Sequence, residues 1–216
     1  MADGFLVFGH RGSPRRHPEN TIASFQAAVR AGADGFETDL RLLSDHSAIL
    51  FHDHELDGRP IETLAAADFP ENVHLERVRD LARFAGKTTM ILEVKRSRWE
   101  DILLSEIAGW DAIVVTSFDH TTIAELSRRG VGFPLGLTIE GSIVDLPSYA
   151  RRLGVRWIFP NYRYVDADLV AVLHGAGMRV VPWTPNRESE WQSLREAGCD
   201  GIITDRPEEA VVWRGR

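Results

Sequence analysis

Phe5-Leu6-Val7-Phe8-Gly9-His10-Arg11-Gly12 is the stretch on which the fold turns. Its apolar run reads as a buried strand over Phe5–Gly9. The strand runs directly into a histidine and an arginine. Glu37-Thr38-Asp39 and Glu93-Val94-Lys95 stand at the ends of two further apolar runs. Packing alone explains such repeated gathering of ionisable groups poorly. They read as one site assembled from several strands.

Working outward, apolar runs alternate with amphipathic runs along the whole chain. Strands are expected over Phe5–Gly9, Gly35–Leu40, Thr89–Val94, Ala112–Ser117, Pro134–Ile139, Arg156–Pro160, Met178–Trp183 and Gly201–Thr204. Helical spacing predicts helices over Asn20–Ala31, His74–Phe84, Arg98–Ala108, His120–Arg129, Ser142–Leu153, Asp166–His174 and Arg187–Ala197, with Asn20 or Thr21 at the first N-cap. Glycines follow most of these patterns, as helix C-caps do. Eight strand–helix units in 216 residues match a small α/β protein, a (β/α)8 TIM-type barrel. An open doubly wound sheet is the alternative. Polar clusters at several strand ends favour the barrel, which puts its chemistry there. Ala48–His52 follows the second strand after only Ser44-Asp45-His46-Ser47, too short for a crossover. An extra antiparallel hairpin after strand 2 is expected, folding His52 back toward Glu37 and Asp39. The Pro- and Gly-containing segment 53–72 reads as a mostly irregular loop and a candidate substrate lid.

Composition narrows the function classes. The hydrophobic share is 44%, ordinary for a globular protein, and no run approaches the ~20 apolar residues of a membrane span, so membrane insertion is not expected. The net charge of −7 argues against nucleic acid as partner, since such proteins usually carry a basic face. It leaves room for an anionic substrate, because a metal or arginine reverses the field inside a cleft. Met1-Ala2-Asp3-Gly4 has no basic leader region, and the single Cys199 fits a reducing compartment, so a cytoplasmic location is expected. Of 25 lysines and arginines only Lys87 and Lys95 are lysines, which draws attention to Lys95.

Glu37 and Asp39, two residues apart on a strand, point to one face ~6.6 Å apart. Such acids repel unless a cation or proton sits between them. With Glu93 they make a hard-oxygen set suited to a divalent metal ion, Ca2+ or Mg2+. The plain alternative is that each is a surface or salt-bridge acid. His10 and His52 are acid–base candidates, since two imidazoles can deprotonate a nucleophile and protonate a leaving oxygen. Arg11 and Lys95 would supply positive charge to an anion, although Lys95 could equally pair with Glu93. Trp183 could pack on a substrate or plug the barrel rim. Ser117-Phe118-Asp119 and Thr204-Asp205 read as helix caps.

Taken in order, His10-Arg11-Gly12, Pro18-Glu19-Asn20-Thr21, Gly32 to Asp39, His52-Asp53, Glu93-Val94-Lys95, Ser117-Phe118, Trp183-Thr184-Pro185-Asn186 and Thr204-Asp205 resemble the glycerophosphodiester phosphodiesterase family. The resemblance spans almost the whole chain, 1–216, as one barrel domain. It implies hydrolysis of a small-molecule glycerophosphodiester to glycerol 3-phosphate and an alcohol. It implies His10 and His52 as the acid–base pair, Glu37, Asp39 and Glu93 as metal ligands, Arg11 and Lys95 as phosphate contacts, and Trp183 on the glycerol side. Three features depart from the family pattern. The insertion before strand 3 is reduced to 53–72, the usual loop Asp-Gly is Asp45-His46, and Trp-Thr-Val-Asn is Trp183-Thr184-Pro185-Asn186. One alternative is a phospholipase D-like enzyme acting on lysophospholipid or sphingolipid headgroups, which would need an apolar groove with Leu56, Phe69 or Trp99 exposed near its mouth. Another is a non-catalytic anion-binding barrel.

Overall fold

The computed structural model describes residues 4–215; the leader reading made from Met1-Ala2-Asp3 lies outside them. In chain order the regular elements begin with β1 (Leu6–Gly9), α1 (Ile22–Arg30), β2 (Gly35–Leu42), β3 (Ala48–Leu50), β4 (Glu55–Leu56) and β5 (Arg59–Pro60). There follow β6 (Thr89–Val94), α2 (Glu100–Glu106), β7 (Ile113–Thr116), α3 (His120–Arg128), β8 (Gly136–Ile139) and α4 (Leu146–Arg152). The chain closes with β9 (Trp157–Pro160), α5 (Ala167–Gly175), β10 (Arg179–Val180), α6 (Glu188–Glu196), β11 (Gly201–Thr204) and α7 (Pro207–Arg214).

Parallel pairing runs β11-β1-β2-β6-β7 in one sheet and β10-β9-β8 in another. Bridges join the two. Val115 pairs with Leu135 between β7 and β8, and Trp183, just beyond β10, pairs with both Asn161 and Ile203. Each of the eight barrel strands therefore has a bonded neighbour on both sides, the arrangement of a TIM-type barrel with no free edge. The predicted hairpin is present: β3 runs antiparallel to β2, with Leu40 opposite Leu50 and Leu42 opposite Ala48.

The pleat sorts the core into two layers. Phe8, Ile91, Val114, Phe159, Val181 and Ile203 fill the barrel interior with Trp157. Their neighbours Val7, Phe36, Leu92, Val115 and Ile202 face outward into the helix layer. There Phe25 of α1 stacks on Phe36 of β2 at 4.2 Å, and Phe84 meets both edge-on. Glu37, Asp39 and Glu93 share the inward face with Ile91. They lie above the apolar plug, at the C-terminal end of the strands.

Three expectations from local pattern are corrected. The helix predicted over 74–84 is a 3-10 segment, Val78–Phe84, whose buried Val78, Leu81 and Phe84 recur every three residues as a three-residue turn requires. The residues before it run along β3 instead, with Ile49 bridging Arg77 and Leu50 N–H donating to Glu76 O. The strand predicted over 178–183 shrinks to β10, because Pro182 has no N–H to give to the ladder. Finally, segment 53–72 is not a lid over the site. Its β4–β5 ribbon and two short 3-10 turns pack through Ile61 and Leu64 onto Leu43 and Ile49, and none of its residues lines the central cavity.

Candidate active site

The strand ends converge on a cavity of about 160 Å3. Among its lining residues are His10, Arg11, Glu37, Asp39, His52, Glu93, Lys95 and Trp183, so every site residue singled out in the sequence reaches one space. Asp39 is in register with Glu93 across β2 and β6, and Glu37 stands two residues before Asp39. The three carboxylates offer oxygens within 4.8 Å of one another, and all three residues are buried.

Local backbone geometry puts each group in place. The turn after β1 takes Arg11 to φ 51° and Gly12 to φ 88°. A Cβ on Gly12 would stand 2.6 Å from the Ser24 carbonyl carbon, so only glycine lets this turn press on α1. That packing aims the Arg11 N–H at Glu37 Oε2 (3.0 Å) and brings its Nε to 3.3 Å from Asp39 Oδ2, an ion pair without a hydrogen bond. Arg11 Nη1 also pairs with Glu19 at 2.9 Å. Lys95 Nζ lies 2.7 Å from Asp39 Oδ1 and 2.5 Å from Glu93 Oε1. The salt bridge to Glu93 weighed from the sequence is therefore formed, and Asp39 shares it.

The electrostatics follow from burying three acids against two cations. Burial, reinforced by the charge of Asp39, pushes the Glu37 carboxyl up to about 8. Glu93 is raised for the same two reasons, with Lys95 pulling the other way. Burial would raise Asp39 as well, but Lys95 and Arg11 hold it well below the usual carboxylate range. Glu37 Oε1 is buried with no hydrogen-bond partner among the described residues. An orphaned buried oxygen on an acid that resists ionising calls for a positive partner, and hard oxygens suit a divalent cation. The acidic set fits a metal.

The two histidines are set differently. Asp205 is held below its ordinary range, despite burial, by its hydrogen bond to His10, so it is a pure acceptor. His10 Nδ1–H therefore donates to Asp205 Oδ1 at 2.7 Å, and Nε2 faces Glu37 Oε2 at 4.0 Å. Burial works against protonation of His10, but Asp205 and Glu37 outweigh it and its pKa is raised. His52 lies half-buried at the rim with Nδ1 2.9 Å from Asp53 Oδ1. Burial lowers its pKa, with the charge of Asp39 opposing.

The sequence model of the glycerophosphoryl diester phosphodiesterase family matches residues 10–93 and 88–209. The chain belongs to this family. A glycerophosphodiester phosphodiesterase of Caldanaerobacter subterraneus subsp. tengcongensis is 27% identical to it over 237 residues, covering 95% of this chain and 96% of the relative. Among solved structures, an Oleispira antarctica phosphodiesterase in complex with the product sn-glycerol-3-phosphate superposes with a TM-score of 0.89 at 19% identity, covering 98% of this chain and 97% of that one. The glycerophosphodiester phosphodiesterase of Thermotoga maritima gives 0.81 at 21% identity, covering 96% and 97%. At these identities the likeness shows a shared barrel.

Several residues of this family member stand at the site without having been singled out as site residues. Asn20, considered for a helix cap, is not one: Thr21 caps α1 by accepting from Ser24 N–H. Asn20 takes the left-handed φ of 55° and its Nδ2 donates to Asp39 Oδ2 at 2.8 Å. Asp205, read as a cap, holds His10, and Asn186 Nδ2 donates to its other oxygen at 2.7 Å. Phe118, 44% exposed, meets Trp183 edge-on at 5.4 Å and makes an apolar wall with it. The only signal for these residues was their place in the ordered motifs. His46, where the family pattern has glycine, adopts φ 62° and fills a glycine-type position with a bulkier residue.

Proposed function

We propose that this protein is a divalent-cation-dependent phosphoric diester hydrolase. It would cleave glycerophosphodiesters to sn-glycerol 3-phosphate and an alcohol. One observation carries the reading: a buried carboxylate triad, two cations and two histidines line a single small cavity. Glu37, Asp39 and Glu93 would hold the ion, Mg2+ or Ca2+. When bound, it supplies Lewis-acid polarisation of a phosphoryl oxygen. Arg11 and Lys95 orient the phosphate and stabilise the charge that grows on it. His52, kept neutral by burial, takes the proton of the attacking hydroxyl, from water or from the substrate's own glycerol; in the second case water must then open the cyclic phosphate to give glycerol 3-phosphate. His10, whose proton is favoured by Asp205 and Glu37, gives it to the departing alcohol oxygen as the P–O bond breaks. Trp183 and Phe118 offer an apolar wall to the glycerol carbons.

The phospholipase alternative called for an acyl groove. Trp99 is buried, Leu56 packs into the cluster beside β3, and Phe69 lies edge-on to Phe51 at 5.6 Å. Leu56 and Phe69 are half-buried, and none of the three lines the cavity, which favours a water-soluble diester. Among the described residues no helix is long and apolar enough to cross a membrane. A free, buried Cys199 with its thiol pushed up to about 12 is compatible with work in the cytoplasm. The test is turnover of glycerophosphocholine, glycerophosphoethanolamine, glycerophosphoinositol and lysophosphatidylcholine with Mg2+, Ca2+ or Mn2+, before and after chelation. Diester turnover lost on chelation supports the reading. Lysophospholipid preference would favour the alternative, and metal binding without turnover would favour an anion-binding barrel.

A further inference from the structure

One further charge is buried on β2 beyond the acids. Arg41 follows Asp39 by two residues and leaves the same face of the strand. Its side chain is 0% exposed, and burying a guanidinium is costly unless its donors are met. Nη1 donates to Glu62 Oε1 at 2.9 Å, and Nη2 donates to the backbone carbonyl of His52 at 2.8 Å. Nε has no partner among the described residues. Such a costly charge is explained by what it holds.

His52 lies beyond the end of β3. The last backbone bond tying this strand to β2 is Phe51 N–H to Asp39 O, at 3.0 Å. One residue later the chain leaves the sheet, and the Arg41 guanidinium supplies the next anchor. Glu62, its counter-ion, comes from the reduced segment 53–72, where the adjacent Ile61 is buried against Leu43 and Ile49. We propose that Arg41 is a positioning residue, clamping the His52 carbonyl to β2 so that the imidazole stays at the cavity rim. Glu62 completes the clamp and gives the shortened segment a task other than that of a lid. This rests on the proposed role of His52, so the test needs a readout besides turnover.

Arg41→Met keeps the stem and removes the donors. Arg41→Lys keeps the charge but not the fork that spans two acceptors. Glu62→Gln, at a half-buried position, covers the case in which Arg41→Met does not fold. With folded variants, kcat on the preferred diester is expected to fall about 10–100-fold for Arg41→Met, the scale set by misplacing a reacting group. Arg41→Lys should recover part of it. KM and the affinity for Mn2+ alone, by calorimetry, should stay within about twofold. The His52 ring resonances in NMR spectra should shift or broaden in Arg41→Met, and less in Glu62→Gln. An unchanged His52 resonance overturns the inference whatever the activity, as does a kcat loss matched by lost Mn2+ affinity. A wild-type protein with no diester turnover but a displaced His52 resonance in Arg41→Met would sink the functional reading and leave the clamp standing.

Discussion

Asp205→Asn isolates the electrostatic partner of His10 without changing its shape. Asp205 Oδ1 accepts from His10 Nδ1 at 2.7 Å, and Oδ2 accepts from Asn186 Nδ2 at 2.7 Å. Asn186 cannot turn its amide to suit an asparagine at 205. Its Oδ1 already accepts from Thr204 Oγ1 and from the residue 205 N–H, each at 2.9 Å. An asparagine amide at 205 therefore faces a donor against a donor, either at Asn186 or at His10. A hydrogen bond to a charged group is worth about 1.5–3 kcal/mol. That corresponds to roughly one to two pKa units lost at His10 and a roughly 10–100-fold lower kcat at neutral pH if His10 must be protonated. The sign follows from the raised His10 pKa. In the proposed role, deprotonation of His10 would limit the rate at high pH, so lowering its pKa would move the alkaline limb of the kcat profile to lower pH. The assay is the pH dependence of kcat for wild type and Asp205→Asn on the preferred diester with saturating metal, together with the His10 titration followed by NMR. An alkaline limb that stays in place, with His10 titrating as in wild type, would refute the reasoning.

Other expectations follow from the same geometry. The raised Glu37 carboxyl contributes stability to metal-free protein that is full below its unfolded pKa of about 4.5. This is lost as pH rises toward about 8, so urea midpoints should fall across that window and be restored by Mg2+ or Ca2+. In Glu37→Gln the ion should give little protection, whereas at 100 times its Kd it should add about 2.7 kcal/mol to wild type; equal protection of both proteins in thermal melts would exclude Glu37 as a ligand. His46→Gly should raise stability by about 0.5–1 kcal/mol, because the loop holds φ at 62° where an L side chain is strained, and chemical denaturation would detect a change of either sign. Phe36→Ala, which removes the ring shared by Phe25 and Phe84, should cost about 3–5 kcal/mol, and an unfolding midpoint within error of wild type would contradict the packing described.

Much was legible from the chain because the signals were local. Apolar runs closed by polar groups located Leu6–Gly9, Thr89–Val94 and Gly201–Thr204 almost to the residue. The pairing of Glu37 with Asp39 follows from the two-residue period of a strand alone. The short loop between β2 and β3, with its four polar residues Ser44-Asp45-His46-Ser47, forced a hairpin, which is why His52 was expected near the acids. The misreadings share a cause. Residues 74–77 have helix-compatible apolar spacing, yet β3 offers them an edge to pair with, and pairing wins. Segment 53–72, rich in turn residues, resembles a free lid until Ile61 and Leu64 find Leu43 and Ile49.

By itself the sequence determined the alternating strand–helix order, the shared face of Glu37 and Asp39 and the stock of ionisable groups at the strand ends. Those depend on periodicity and on the chemistry of each side chain, which are properties of a few neighbouring residues. Only the tertiary structure decided that Asp39 stands in register with Glu93, that Asp205 holds His10 from 195 residues away, and that Arg41 reaches the carbonyl of His52. Strand register and barrel closure bring these groups together. Both come from the summed packing of many distant side chains, so no short stretch of the chain encodes them.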